Sequence, residues 1–290
     1  MKKLYELTLA SLVAVTCFAS LVFSSESINL KSAAEQNHQL VLFSEVEWGQ
    51  LNPARGDKSP RTATLWGDRT KSGPSGFLVK FVDGFKSPPH IHNVSYRGLV
   101  ISGFIHNDDP NADDMWMPVG SYWTQPKGGL HITAAKGSDT MAYIEIEDGP
   151  YLVLAPEKEF QTKERPINVD VSNIVWINQP GIPVSANGAQ IAFLWQNPKD
   201  SKQNGSLFKL PGGFSGEIHS SGKILHAVVI QGLPEYQLVG ETSHKTLEPG
   251  SYFGSKGESV HSVRCQEDVD CIVYVRIDGK FHITPARLKQ

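Results

Sequence analysis

Short apolar runs, broken at regular intervals by turn residues, dominate the hydrophobic pattern of this chain. Glycine, proline, asparagine and aspartate interrupt the runs about every ten residues, which is typical of a β-sandwich or β-barrel. No segment carries a long apolar repeat of helical period, so we expect little helix. The runs that predict strands are FLVKFV, GLVISGFI, HITAA, MAYIEIE and YLVLA in the first half, and SLFKLP, HAVVIQG, CIVYVRI and FHITPA in the second. The sequence therefore predicts an all-β protein.

The two halves of the chain repeat one another at an offset of 129 residues. TATLWGD in the first half recurs as IAFLWQN in the second, and in the same ungapped alignment His90 matches His219. After one inserted residue the offset becomes 130, where GSYW matches GSYF and His131 matches His261. Self-similarity of this kind predicts an internal duplication, and with it two β-domains of similar structure.

The repeat and the composition between its copies set the predicted domain boundaries. Residues 25–40 lack core character and are interpreted as an N-terminal arm, followed by the first β-domain at 41–154. Residues 155–170 are charged and poor in large apolar side chains, which indicates a linker. The second β-domain then spans 171–290.

The start of the chain predicts that the protein is exported. Two lysines precede an apolar run from about residue 7 to residue 23, and small residues follow it. This order is typical of a secretory signal peptide, so we interpret residues 1–24 as one, with cleavage near Ser24 or Ser25. An uncleaved anchor helix is the alternative, because the run is nearly long enough to span a bilayer. After cleavage we expect a periplasmic or secreted protein with no stable membrane insertion.

Charge and cysteine content narrow the function classes. Without residues 1–24 the chain has 25 basic and 29 acidic side chains, a net charge of about −4, and no basic runs, which argues against nucleic-acid binding. The mature chain keeps Cys265 and Cys271, which flank a polar turn between two β-runs. In an exported protein this pair predicts a disulfide. Two free thiols are the alternative, because a disulfide needs Cα atoms within about 7 Å.

Three histidines in the first unit have the spacing of a metal site. Alternate residues of a strand point to the same face, so His90 and His92 project together, as two ligands of one ion must. A third ligand has to come from another strand, and His131 in PKGGLHIT is placed to supply it. Neutral imidazoles suit Zn, Fe, Cu, Ni and Mn, and three of them leave positions open for water or substrate. The alternative is a strand with two polar residues on its wet face.

The residues around these histidines resemble the first motif of the cupin superfamily. That motif is Gly, five residues, His-x-His, three or four residues, Glu, six residues, Gly. In this chain the five fixed places are taken by Gly84, His90, His92, Tyr96 and Gly103. The tyrosine is a departure, because cupins have a glutamate ligand there.

The second cupin motif is also present. It is Gly, five residues, Pro-x-Gly, two residues, His, three residues, Asn, and this chain reads GSYWTQPKGGLHITAA from Gly120, with Ala135 in place of the asparagine. With two units, the resemblance covers nearly all of the mature chain. It implies a bicupin of two tandem jelly-roll barrels (double-stranded β-helices), similar to exported two-cupin bacterial proteins, some of which resemble anti-sigma-factor cupins.

The resemblance implies a three-histidine metal site of His90, His92 and His131, a variant seen in thiol dioxygenases and diketone-cleaving dioxygenases of the superfamily. Tyr96 is the candidate catalytic residue, and three roles stay open for it: a weak ligand, a hydrogen-bond or proton donor, or a packing residue. The implied cofactor is a divalent Fe, Zn, Mn or Ni ion, and the implied partner is a small organic molecule.

Two classes of function follow from this resemblance. The first is an exported metal-dependent enzyme, with dioxygenase-type chemistry slightly favoured for iron, and lyase, hydrolase or isomerase chemistry for Zn, Ni or Mn. The second is a non-catalytic module that binds or senses a metal or a small ligand. Cupins often pair through their sheets, so a homodimer is a further expectation.

The second unit matches the cupin pattern less well. Ser221 stands at the place of His92, so we expect a degenerate, structural barrel. Glu217 shares the predicted strand face of His219, and with His261 it could form a set of two histidines and one carboxylate. That second site is left open.

The sequence leaves the location of two further groups of side chains undecided. Trp116, Tyr122 and Trp123 either wall a pocket above the metal or pack in the core, which is the commoner place for aromatic residues. Glu145 and Glu147 share a strand face, and the sequence does not indicate whether that face points inward.

Overall fold

The structure is a computed structural model that describes residues 37–178, 188–199, 202–238 and 240–286, so the predicted signal peptide and most of the N-terminal arm lie outside the described residues. The strands are β1 His38–Val41, β2 Gly49–Gln50, β3 Arg61–Trp66, β4 Ser75–Lys80, β5 Ile91–His92, β6 Tyr96–Asp108, β7 Tyr122–Gln125, β8 Ile132–Ile146, β9 Val153–Leu154, β10 Ile167–Val169, β11 Ile177–Asn178, β12 Gln190–Gln196, β13 Gln203–Leu210, β14 Ser215–Ser220, β15 Ile224–Gln231, β16 Glu235–Gln237, β17 His244–Thr246, β18 Tyr252–Lys256, β19 Ser259–Arg264, β20 Cys271–Asp278 and β21 Phe281–Pro285. Short 3-10 helices span Phe43–Glu45, Pro53–Lys58, Pro156–Lys158 and Val171–Asn173. The all-β prediction is confirmed.

The strands form jelly-roll-like pairs of antiparallel sheets. In the first unit, a seven-stranded sheet has the order β10-β7-β6-β8-β4-β3-β2, and β5 pairs with β9. In the second unit, a seven-stranded sheet has the order β1-β18-β15-β20-β13-β12-β11, and a five-stranded sheet has the order β17-β16-β19-β14-β21. Over the described ranges, no helix has the length and apolar character needed to cross a membrane.

Two short strands near the predicted domain boundaries extend the edges of the seven-stranded sheets. β1, which comes before the first unit along the chain, pairs with β18 of the second unit, with Val41 opposite Tyr252. β10, which lies in the charged segment between the units, pairs with β7 of the first unit. Each pairing covers a strand edge that would otherwise expose unpaired backbone groups.

The two longest strands bring distant parts of the first unit to one cavity. β6 and β8 pair along most of their length, but the register shifts twice, between Val100 and Ser102 and again between Ser102 and Phe104. At this bend Gly103 has a φ of 70° and lies against Thr140, because a Cβ there would be 2.2 Å from the threonine hydroxyl oxygen. The bend positions the two halves of β6 around the site described below.

A shared core holds the units together, and its two halves have matching contacts. Trp66 Nε1 donates a hydrogen bond to the Tyr143 hydroxyl at 3.0 Å, and Trp195 Nε1 donates one to the Tyr274 hydroxyl at 2.9 Å. Each indole lies against a glycine, where a Cβ would be about 2 Å from the ring nitrogen. These four aromatic side chains pack in one cluster with apolar residues of both units.

Glu145 lies between the units, so the strand face that it shares with Glu147 does not point to solvent. The carboxylate is 1% exposed and accepts hydrogen bonds from the hydroxyls of Tyr274 at 2.8 Å and Tyr143 at 3.2 Å. Arg276 of the second unit donates to Glu147 through both terminal guanidinium nitrogens, Nη1 and Nη2. The face therefore points into the interface, and its buried charge is compensated across it.

The predicted disulfide is present. Cys265 and Cys271 are bonded, with their Cα atoms 6.0 Å apart, in the turn between β19 and β20. The bond closes the hairpin that the cysteine spacing indicated.

Candidate metal centre

The three histidines of the first unit meet inside the barrel. His90 and His131 lie opposite one another in an isolated bridge, and each backbone N–H donates to the other's carbonyl oxygen at 3.0 Å. His92 follows on β5, which pairs with β9. All three side chains are buried, and one nitrogen from each lies within 4.8 Å of the others. The structure thus brings together the residues that the spacing grouped.

Backbone carbonyls fix the orientation of all three rings. The Nδ1 atoms of His90, His92 and His131 lie 2.9, 3.0 and 3.0 Å from the carbonyl oxygens of Pro88, Leu152 and Gly129. A carbonyl can only accept, so each Nδ1 carries the proton and each Nε2 keeps its lone pair. This is the tautomer that binds a metal through Nε2, with a hydrogen bond behind the ring that holds it in place.

Burial lowers the pKa of each imidazole in this group. It brings the pKa of His131 to about 3, with a further contribution from nearby His90. Burial, and then the charges of His131 and His90, hold the pKa of His92 well below its ordinary value, and the pKa of His90 is also lowered, mainly by burial. All three rings are therefore neutral at pH 7, as a metal ligand must be.

Tyr96 is part of a buried hydrogen-bond network beside His131. Its hydroxyl donates to Asn107 Oδ1 at 2.8 Å and lies 3.5 Å from His131 Nε2. Asn107 donates onward to Gln125, which donates to the Gly129 carbonyl that also accepts from His131. Burial raises the pKa of Tyr96 above its ordinary value, so its phenol keeps the proton.

A second tyrosine, which the sequence did not indicate, faces the same histidines. The Tyr151 hydroxyl lies 3.1 Å from His92 Nε2, and the two rings stack with centroids 4.3 Å apart. Burial holds the pKa of Tyr151 well above its ordinary value. It lies outside both cupin-like motifs, and the apolar run YLVLA that contains it predicted only a strand.

His90, His92, Tyr96 and Tyr151 border a cavity of about 150 Å³. Its other walls are mostly apolar, and Trp123 is one of them. Tyr122 packs instead in the core between the units, and Trp116 packs beside His106, so one of the three aromatic residues considered from the sequence borders the cavity. The apolar walls limit the water that can reach the imidazoles.

The second unit does not assemble an equivalent group in its described residues. Ile218, not His219, lies opposite His261 in the β14–β19 register, so the ungapped match of His90 with His219 is wrong by one residue. The extra residue of the first unit lies between Lys86 and His90, because Lys86 pairs with Ala134 as Ser215 pairs with Arg264.

This register separates the three side chains of the alternative second site. His219 and Glu217 share the outer face of β14, with His219 Nε2 3.0 Å from a Glu217 carboxylate oxygen. His261 points inward and is fully buried, with its Nδ1 2.8 Å from the Tyr236 hydroxyl. The set of Glu217, His219 and His261 therefore cannot share one ion.

Comparisons with known proteins agree with this architecture. A family model described as "Domain of unknown function (DUF4437)" matches residues 39–284. A search of curated proteins finds no match.

Several solved structures share the fold at low sequence identity. A candidate dioxygenase from Nostoc punctiforme PCC 73102 is 15% identical with a TM-score of 0.63, covering 87% of this chain and 88% of its own. Salicylate 1,2-dioxygenase from Pseudaminobacter salicylatoxidans, with gentisate adducts, is 13% identical with a TM-score of 0.53, covering 96% of both chains. Vicilin from hazelnut, Corylus avellana, is 11% identical with a TM-score of 0.55, covering 85% and 87%.

Proteins with such different names share this architecture, so the structural similarity shows the fold only. The activity has to be inferred from the residues of the site. The neighbours include cupin-fold dioxygenases, and the sheets of this chain have the jelly-roll arrangement that its motifs predict. The chain has the cupin fold and belongs to the DUF4437 family.

Proposed function

We propose that this protein is a metal-dependent enzyme that transforms a small organic molecule in the barrel of its first unit, with dioxygenase chemistry as the leading assignment. One observation carries the proposal: three buried, neutral imidazoles, each with its Nδ1 against a backbone carbonyl, bring their ligand nitrogens within 4.8 Å of one another. Burying three such polar rings together is costly unless something binds them.

The donor set fits a divalent transition metal. Imidazole nitrogens suit Fe, Zn, Mn or Ni, and the cluster at this point consists of His90, His92 and His131 with no carboxylate among the described residues. When bound, such an ion supplies Lewis acidity and, in the case of iron, redox chemistry with O₂. Three neutral ligands leave its positive charge uncompensated, so the site favours an anionic substrate group.

Tyr96 is proposed to hold a proton at the reacting end of the cavity. Its hydroxyl lies close to His131 Nε2, and in the structure it donates to Asn107 Oδ1. Because burial raises its pKa, the phenol keeps its proton at neutral pH. This single O–H can turn from Asn107 Oδ1, which still accepts from Thr133 Oγ1 at 2.9 Å, and donate to a substrate oxygen. This favours the donor role among the three roles that the sequence left open.

The choice of dioxygenase chemistry rests on the names of structural neighbours. A candidate dioxygenase and a salicylate 1,2-dioxygenase share the fold over most of the chain. Lyase, hydrolase or isomerase chemistry with Zn, Ni or Mn remains the alternative for the same donor set.

We also propose that the protein works outside the cytoplasm. The charged, apolar and small-residue order of residues 1–24 supports export. The disulfide supports it independently, because such bonds persist in oxidising compartments.

Oxygen uptake by the iron-loaded full chain tests the proposed activity. The substrates to screen are small diketones, thiols and organic acids, with His131→Ala as the inactive variant and His219→Ala as a matched control on the outer face of the second unit. We expect uptake with at least one substrate for wild type and His219→Ala, and none for His131→Ala. Iron-loaded wild type that consumes no oxygen with any of them would instead favour the non-catalytic binding module.

A further inference from the structure

Arg55, which is distant in sequence from the three histidines, borders the same cavity of the first unit. Arg55 lies in the 3-10 helix Pro53–Lys58 and is half-buried. The segment is closed at its base, because Leu51 N–H donates to the Pro60 carbonyl at 2.8 Å and Asn52 N–H donates to Ser59 Oγ at 2.9 Å. The guanidinium is therefore carried by a short, pinned segment.

Among the residues that the structure describes, no acidic partner neutralises this guanidinium. Within the described ranges, no carboxylate lies at ion-pair distance from Arg55. Its Cζ lies 5.5 Å from the centre of the Phe85 ring, which also borders the cavity. A half-buried, unpaired arginine beside a ligand cavity is well suited to bind an anion in a planar, two-pronged contact.

The rest of the cavity limits the size and shape of such an anion. Val79, Phe81, Phe85, Trp123 and Ile144 supply apolar walls of the cavity that Arg55, His90 and His92 also border. A volume of about 150 Å³ is comparable to engineered cavities that hold one benzene molecule. The space thus suits one small ring or a short chain, and excludes larger ligands.

We infer that Arg55 binds the carboxylate of a small, largely apolar organic acid and so determines the substrate class of the site. The inference rests on the proposed function, since it assigns a substrate to the same cavity. The acid's apolar part contacts the aromatic walls, and its remaining polar group faces the imidazoles. Arg55 is a specificity-determining residue that touches the substrate away from the reacting atoms.

The competing interpretation is that Arg55 only packs on Phe85. A cation held over an aromatic ring stabilises the local fold without binding any ligand. The two interpretations predict different binding affinities. If Arg55 binds a carboxylate, the protein prefers a charged acid over the neutral amide of the same shape; if Arg55 only packs on Phe85, it does not.

Calorimetric titration of the full chain with benzoate and with benzamide tests the inference. Both probes carry one ring of the size that the cavity accepts, and they differ in charge. The protein is studied zinc-loaded and zinc-free, as wild type, Arg55→Gln, Arg55→Lys and Arg61→Gln. Arg61 is the matched control, because it is exposed and is not among the residues that border the cavity.

We expect wild type and Arg61→Gln to prefer benzoate over benzamide by at least about tenfold. Arg55→Gln should lower benzoate affinity by about ten- to a hundredfold, as expected for a lost charge-assisted hydrogen bond, and leave zinc content unchanged. Arg55→Lys, which keeps the charge and loses the planar fork, should lie between them.

Equal binding of the two probes by wild type, or an unchanged preference in Arg55→Gln, would overturn the inference while leaving the metal centre intact. Failure of wild type to take up zinc would overturn the proposed function instead. In that case the zinc-free titrations still decide whether Arg55 binds the acid.

Discussion

The Tyr151 hydroxyl competes with any metal ion for the lone pair of His92. His92 Nδ1 donates to the Leu152 carbonyl, so its Nε2 must accept, and the Tyr151 O–H donates to it at 3.1 Å. A metal that binds Nε2 has to displace this hydrogen bond. Tyr151→Phe removes the hydroxyl and keeps the ring that stacks on His92.

The expected effect is a gain in metal affinity. A hydrogen bond of this kind stabilises the metal-free site by about 0.5–1.5 kcal/mol, so its removal should tighten metal binding by about two- to tenfold. Tyr96→Phe is the matched variant. The Tyr96 hydroxyl donates its proton to Asn107 and lies 3.5 Å from His131 Nε2, so its removal should change affinity by less than about twofold.

Zinc competition against a chromophoric chelator, at constant pH, measures the three affinities. The order should be Tyr151→Phe tightest, with Tyr96→Phe and wild type close together. If Tyr151→Phe binds zinc more weakly than wild type, the phenol holds the metal and does not compete with it.

Three further predictions concern stability. Gly76→Ala should lower the free energy of unfolding by about 1–3 kcal/mol, because its Cβ would lie 2.1 Å from the Trp66 indole nitrogen. Gly49→Ala is the control, because a Cβ at Gly49 has open space around it and should change the stability little. Urea unfolding of both variants measures the difference. Acid should destabilise the metal-free protein: burial lowers the pKa of His226 and His261 to about 3, so below pH 6.5 the unfolded chain binds protons that the folded chain does not. Each of these two histidines should cost up to about 1.4 kcal/mol per pH unit, and urea unfolding between pH 7 and 4 that showed no loss would contradict their burial in the neutral form. Cys265→Ser should cost about 2 kcal/mol by opening the short disulfide loop, and alkylation before reduction should find no free thiol in exported protein.

The sequence predicted those parts of the site for which the spacing of residues along the chain determines where their side chains lie. His90 and His92 are two apart on an extended segment, so they had to share a face, and the second motif supplied His131 from a neighbouring strand. The hydrophobic pattern likewise predicted the strands of both units, because half-buried strands require it.

Features that depend on pairing between distant segments were not predictable. Tyr151 reaches His92 only because β9 pairs with β5, two strands too short to leave a periodic pattern. The ungapped alignment matched His219 with His90 because two length differences cancel. The first unit has one extra residue before His90, and the second unit has one extra residue before Gly232, so Gly103 and Gly232 align again. Local chemistry does not reveal such a compensated shift, but strand register does.

The assignment of β1 shows the same limit. His38–Val41 crosses the predicted boundary between the N-terminal arm and the first β-domain, and its side chains are mostly half-buried against β18 of the second unit. A four-residue strand with a partner more than two hundred residues away leaves no signature in its own sequence.

The metal content of the full chain, purified without an affinity tag, tests the three-histidine centre most directly. Elemental analysis should find about one equivalent of a transition metal in wild type and in His219→Ala, and almost none in His131→Ala, because two imidazoles rarely hold an ion that needs three. Wild type that neither retains nor takes up a metal, or His131→Ala with the wild-type metal content, would contradict the account.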